Sequence, residues 1–157
     1  MSDSPEARLK RLGIELSPPP KSAGTYVPFV ITGNLLYVSG NGPRLPNGTF
    51  KTGKVGRDVT LEEANADARL VGIVILGIIR TAVGSLDRVK RVVKLLGMVN
   101  AVPEFRDHPK VINGCSDLFV EVFGENGRHA RSAVGMGSLP DQITVEIESI
   151  FEISPEV

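Results

Sequence analysis

The run VGIVILGII, residues 71–79, sets aliphatic side chains on nearly every side of a helix. Thr60 starts that helix, with Glu62 and Glu63 in its first turn, and Gly84 supplies a stop. A helix that is apolar all round has to be covered on more than one face. The run is nine residues long and bracketed by Arg69 and Arg80, so it reads as a buried helix and is far too short to span a bilayer.

Around this helix the chain divides into short periodic segments. Residues 26–31 and 35–39 are β-rich runs separated by Thr32-Gly33-Asn34, which predicts a hairpin. Residues 89–102 read as a central strand rich in valine and leucine. A second helix is expected over residues 104–123, interrupted near His108-Pro109, with Phe105, Val111, Leu118, Phe119 and Val122 as core candidates. Two last strands follow at about 129–136 and 143–150. The order ββαβαββ has no repeated βαβ unit, which predicts an α+β fold with two helices on one face of a mixed sheet. A sixth strand is possible in the loop after Gly40. The other sheet face lacks cover from the chain itself, so self-association is expected.

Residues 1–20 read as an appendage to a single domain over residues 21–157. Ser4 can cap a short helix, Pro5 suits its first position, and Glu6 complements its dipole. Leu9, Leu12 and Ile14 give it an apolar side before Pro18-Pro19-Pro20 forces an extended connector.

The balance of 18 basic and 18 acidic side chains provides no overall field to gather nucleic acid or an anionic membrane. Cys115, the sole cysteine, excludes an intrachain disulfide or a multi-cysteine metal site. A cytoplasmic setting is expected, since the first residues are charged and resemble no export signal. No metal is expected: His108 and His129 are too far apart to form a recognised pair. The loop GNGPRLPNG lacks the lysine and helix start of a phosphate loop. Neither Ser39 nor Ser132 sits in a nucleophile motif, and Cys115 falls mid-helix as a packed small hydrophobe.

The remaining chemistry lies near the end of the chain. In VEIESI, Val145 and Ile147 point one way and Glu146 and Glu148 the other, the acids roughly 7 Å apart along the strand. In the preceding strand His129, Arg131 and Ala133 share a face, and Leu139-Pro140 suggests a tight antiparallel return. That return would set Arg131 and the acids on one wall. Arginine presents a planar fork of donors suited to a carboxylate, and an acid beside it can orient water, so a small substrate with a carboxylate and an electrophilic carbon fits. A structural ion pair at a subunit boundary is the alternative.

RSAV followed by LP and VEIESI, INGCSDLF before it, and VPFVITGNLLYVSGNGP near the start together resemble the reactive intermediate deaminase (RidA, L-PSP endoribonuclease) family over residues 21–153. ARLKRLGIELSPPP is similar to the longer branch of that family. The resemblance implies a chorismate-mutase-like α+β homotrimer with clefts between subunits. The implied reaction is cofactor-free hydrolysis of 2-aminoacrylate-like enamine or imine acids to 2-keto acids and ammonia. It implies that Arg131 grips the substrate carboxylate and that Glu148 positions water. Tyr26, Ser39, Gly40 and Asn113 would line the site, and Glu146 would be structural. Ala133 stands where many members have cysteine, and Asn41 where glutamine is common. The rival readings are a binding or sensing protein for small carboxylates, and an endoribonuclease or translation inhibitor.

Overall fold

The computed structural model describes residues 3–22 and 24–155. A helix α1 (Pro5–Arg11) precedes strands β1 (Phe29–Thr32) and β2 (Leu35–Asn41), the long helix α2 (Leu61–Val83) and strand β3 (Val89–Asn100). Helix α3 (His108–Phe123) and strands β4 (Ala130–Met136) and β5 (Val145–Ile153) complete the chain.

Local chemistry accounts for most of these boundaries. A reciprocal capping box starts α2: the Glu63 amide donates to Thr60 Oγ1 at 3.1 Å and the Thr60 amide to Glu63 Oε2 at 2.8 Å. Gly84, with φ of 84°, ends it in the left-handed conformation. Helix α3 begins at His108, four residues later than the sequence suggests. Pro109 lies in its first turn, where a missing amide hydrogen costs nothing, so the proline initiates the helix rather than interrupting it.

The sheet has five strands in the order β1-β2-β5-β3-β4, and the loop after Gly40 contributes only isolated bridges. Neighbours are antiparallel except β3 and β4, which run parallel. The expected antiparallel return from β4 into β5 is therefore not what forms. The chain crosses over, and β3 lies between the two strands.

Both long helices cover one face. Val145, Ile147, Ser149, Phe151 and Ile153 of β5 are buried on that side, and Gly97 of β3 lies so close to Ile112 of α3 that an added Cβ would come within 2.6 Å of it. The helices themselves approach closely: a Cβ at Gly114 would sit 2.0 Å from the Asn65 carbonyl oxygen. This tight crossing explains why α2 is apolar all round, since it faces sheet, α3 and the N-terminal arm. Ser17 of that arm runs across Gly77, where a Cβ would be 2.3 Å from the Ser17 carbonyl oxygen. The arm is docked along its length: Leu9 is 2% exposed, and Glu6 accepts from Arg80 and, at 2.9 Å, from the Leu86 amide. The opposite sheet face is uncovered within the chain, with Val30, Tyr37 and Val134 respectively 53%, 41% and 38% exposed.

Candidate functional site

Sheet register decides which functional groups can meet. Arg131 is level with Leu95 of β3, which is level with Ser149 of β5; the buried Leu95 and Ser149 place this row on the helix-covered face. The next row is Ser132, Leu96 and Glu148, so it faces the other way. Glu146 is level with Met98 and shares the open face with Glu148. Arg131 and the two acids thus lie on opposite sides of the sheet, and the single wall expected from sequence does not exist within one chain. The physical reason is the parallel crossover, which replaces a hairpin with an intervening strand.

On the helix side, Arg131 reaches from edge strand β4 towards α3. Its Nη1 donates to Asn113 Oδ1 at 2.8 Å and to Ser116 Oγ at 3.0 Å. Asn113 and Ser116 are three residues apart on a helix and so present neighbouring side chains to it. Among the described residues no carboxylate forms an ion pair with Arg131. The cation is half-buried and held by neutral acceptors, Asn113 and Ser116, both through Nη1. A guanidinium held in this way presents its Nε and Nη2 edge as a two-point donor for an external anion.

Ser116 and His129 extend this group. His129 Nδ1 lies 2.6 Å from the Gly127 carbonyl oxygen, and Nε2 lies 2.9 Å from Ser116 Oγ. A carbonyl can only accept, so Nδ1 carries the proton and Nε2 of the neutral ring accepts the Ser116 hydroxyl. Burial lowers the His129 pKa; the Gly127 hydrogen bond opposes that and the nearby Arg131 charge adds to it. Ala133 is on the same face as Arg131, two residues along the strand. Cys115 is fully buried, and burial pushes its thiol pKa up despite the Arg131 charge, so it is a packing group.

The open side carries the other expected residues. Tyr26, Gly40, Asn41, Arg44 and Glu146 line one cleft of about 510 Å³. Ser39 ties the Tyr26 segment to β2: its amide donates to the Pro28 carbonyl at 3.0 Å and its Oγ to the Val27 carbonyl at 2.7 Å. A bulge after Val38 then brings Gly40 against Glu146, and a Cβ there would be 3.0 Å from Glu146 Oε2. Burial raises the Glu146 pKa, and the like charge of Glu148 raises it further. Glu148 is exposed and is not among the residues of this cleft. The acid in the Tyr26 and Gly40 cleft is therefore Glu146, one alternation earlier than the residue singled out from sequence. Asp141, at the cleft margin, and Gln142 hold left-handed φ of 53° and 55° without being glycine. Backbone of this kind persists only where its surroundings enforce it.

Ser116 was not singled out from sequence, although its three-residue spacing from Asn113 is the signal that could have found it. Among the described residues no group of three His, Cys, Asp or Glu side chains could hold a metal ion, and no helix is long and apolar enough to cross a membrane.

Comparison with known proteins fits this architecture. Residues 6–145 match the family described as YjgF/chorismate mutase-like, a description that also carries an endoribonuclease label. Protein TCP17 of Trypanosoma cruzi is 44% identical over 149 residues, covering 94% of this chain and 93% of its own length. The crystal structure of Atu1372 from Agrobacterium tumefaciens, a protein of unknown function, is 48% identical, with a TM-score of 0.88 over 97% of this chain and 95% of that one. The structure of RidA from an Antarctic Psychrobacter species is 30% identical, with a TM-score of 0.61 over 86% of this chain and 94% of that one. With its fold and most of its length in common with these proteins, the chain belongs to the YjgF/chorismate mutase-like (RidA) family.

Proposed function

We propose that the protein hydrolyses small enamine or imine acids of the 2-aminoacrylate type to 2-keto acids and ammonia, without a cofactor. The observation that carries this reading is Arg131, a half-buried cation with only neutral hydrogen-bond partners among the described residues. We further propose that the working form is a homotrimer, in which the β4 edge of one copy meets the open sheet face of the next. The Arg131, Asn113 and Ala133 group of one copy would then face Tyr26, Ser39, Gly40 and Glu146 of its neighbour. The uncovered apolar residues Val30, Tyr37 and Val134 support such packing.

The chemistry asks little of the protein. An enamine acid tautomerises to an imine whose carbon is already electrophilic. Arg131 fixes the carboxylate and so removes the orientational cost. Glu146 takes a proton from water as the water oxygen bonds to the carbon of the already N-protonated imine and the C=N electron pair moves to nitrogen, giving a neutral carbinolamine. The same carboxyl then gives its proton to the nitrogen, the C–N bond breaks, ammonia leaves, and loss of the hydroxyl proton forms the keto acid. A raised pKa suits a group that must both take and return a proton. Such a positioned acid contributes about 10² to 10⁴ in rate. Glu148, the acid indicated by family resemblance, acts in this scheme through its like charge on Glu146.

The separation of Arg131 from both acids within one chain favours a second reading, a protein that binds small carboxylates without turning them over. A coupled assay separates the two: an amino acid oxidase generates 2-iminopropionate, the purified protein is added, and imine loss is followed. Hydrolysis predicts acceleration that Arg131→Ala and Glu146→Gln both remove. Binding of pyruvate without acceleration favours the carboxylate-binding reading, and equal rates for wild type and Arg131→Ala contradict the enzymatic one.

A further inference from the structure

The hydrogen-bonded series Arg131, Ser116, His129 and Gly127 has no part in the hydrolytic scheme beyond its first member. Each link is saturated in one direction. Gly127 accepts from His129 Nδ1 at 2.6 Å, His129 Nε2 accepts from Ser116 at 2.9 Å, and Ser116 Oγ accepts from Arg131 Nη1 at 3.0 Å. The Gly127 carbonyl thus sets the imidazole tautomer, the tautomer sets the Ser116 hydroxyl, and the hydroxyl turns its lone pairs to the guanidinium. Ser116, His129 and Arg131 also line one cleft, so the series is in contact with whatever Arg131 binds.

We propose that Ser116 and His129 are positioning residues of the Arg131 anion site, and that proton uptake by His129 tightens the hold of that site on a carboxylate. The proposal rests on the reading of Arg131 as the carboxylate-binding group. In the neutral state the Ser116 proton is spent on His129, and the site offers the anion one cation. Once protonated, Nε2 becomes a donor to Ser116 Oγ, whose other lone pair still serves Arg131. The hydroxyl proton is then released towards the cleft, and a second positive charge stands beside the first. Both changes favour a bound carboxylate, and the carboxylate in turn favours the protonated ring.

The charged groups around the ring agree with this sense of coupling. Arg131 on β4 opposes protonation, and a bound anion offsets that opposition. Asp117 of α3 lines the same cleft. Arg128, adjacent in the chain, is ion-paired with Glu125 of the preceding turn at 3.3 Å. Phe119 packs edge-on with ring centroids 6.2 Å apart and adds to the burial that lowers the His129 pKa. The ring therefore holds a proton less readily than a free imidazole.

The test is a titration of the full chain with pyruvate, a carboxylate ionised throughout the range, from about pH 8 to about pH 5.5. Imidazole NMR signals are recorded in parallel; the chain has two histidines, and His108 serves as the internal reference. The expected result is binding on the order of tenfold tighter at the acidic end, with the His129 pKa moving upward on binding. His129→Gln, which keeps an acceptor for Ser116 but cannot titrate, loses this pH dependence. Ser116→Ala loses it too and binds more weakly at every pH. Wild-type binding that is independent of pH but abolished in Arg131→Ala overturns the proposal and leaves the Arg131 reading standing. A pH dependence that persists in His129→Gln also overturns it, whereas binding that survives Arg131→Ala overturns the Arg131 reading itself.

Discussion

Arg131 and Glu146 project from opposite faces of one sheet, on strands separated by β3. No side-chain rotation brings them together, because strand alternation fixes the face of each. A chemistry that needs both must draw them from different copies of the chain. Each half has the character of an incomplete site: an uncompensated cation on one face, and on the other a carboxyl with a raised pKa packed closely against Gly40.

Replacing Arg131 tests the first half. Arg131→Ala should weaken pyruvate binding by about 10²-fold, the loss of two charge-assisted hydrogen bonds. Arg131→Lys should recover little of this, since an ammonium lacks the planar fork. Isothermal titration of folded variants measures both.

Glu146 should show opposite effects on stability and turnover. Its folded pKa is raised above the unfolded value, mainly by burial. Its contribution to stability is thus fully present below the unfolded value and is lost as pH rises through the folded one. Glu146→Gln should raise the melting temperature at neutral pH, with the gain vanishing on acidification below the ordinary carboxylate range, while imine hydrolysis falls. Glu148→Gln should leave most of the turnover. Thermal melts across pH and the coupled assay give the two readouts.

The α2–α3 crossing depends on an absent side chain. A Cβ at Gly114 would be 2.0 Å from the Asn65 carbonyl oxygen, backbone that cannot move without shifting α2. Gly114→Ala should destabilise the fold by about 1–3 kcal/mol or more, although alanine is the better helix former. Denaturant unfolding against wild type checks the sign. At the exposed N-terminus of the same helix α2, Thr60→Ala should cost about 1 kcal/mol through loss of the capping box.

Much of this fold was legible because its signals are local. The Thr60 start, the Gly84 stop and the two-residue turn at Gly33-Asn34, with Gly33 at φ of 59°, follow from side-chain and backbone chemistry within a few residues. The alternation of VEIESI gave the two faces of β5 correctly. Strand order was not legible, because nothing local to Leu139-Pro140 says that β3 will intervene, and the expected hairpin put Arg131 on the wrong side relative to the acids. That Glu146 lines the Tyr26 and Gly40 cleft was equally hidden. Glu146 and Glu148 share a face, and only the bulge at Gly40, a long-range feature of β2, marks Glu146 as the one in the cleft.

Subunit complementation tests the shared site most directly. Arg131→Ala and Glu146→Gln chains, each inactive in its own assembly, are co-expressed with different tags, and the mixed assemblies are isolated and assayed for 2-iminopropionate hydrolysis. In every mixed trimer, whichever variant supplies two of the chains, one site in three combines a competent arginine with a competent acid from its neighbour, so activity should return to about a third of wild type. Mixed assemblies no more active than the separate variants would contradict a site built from two copies of the chain.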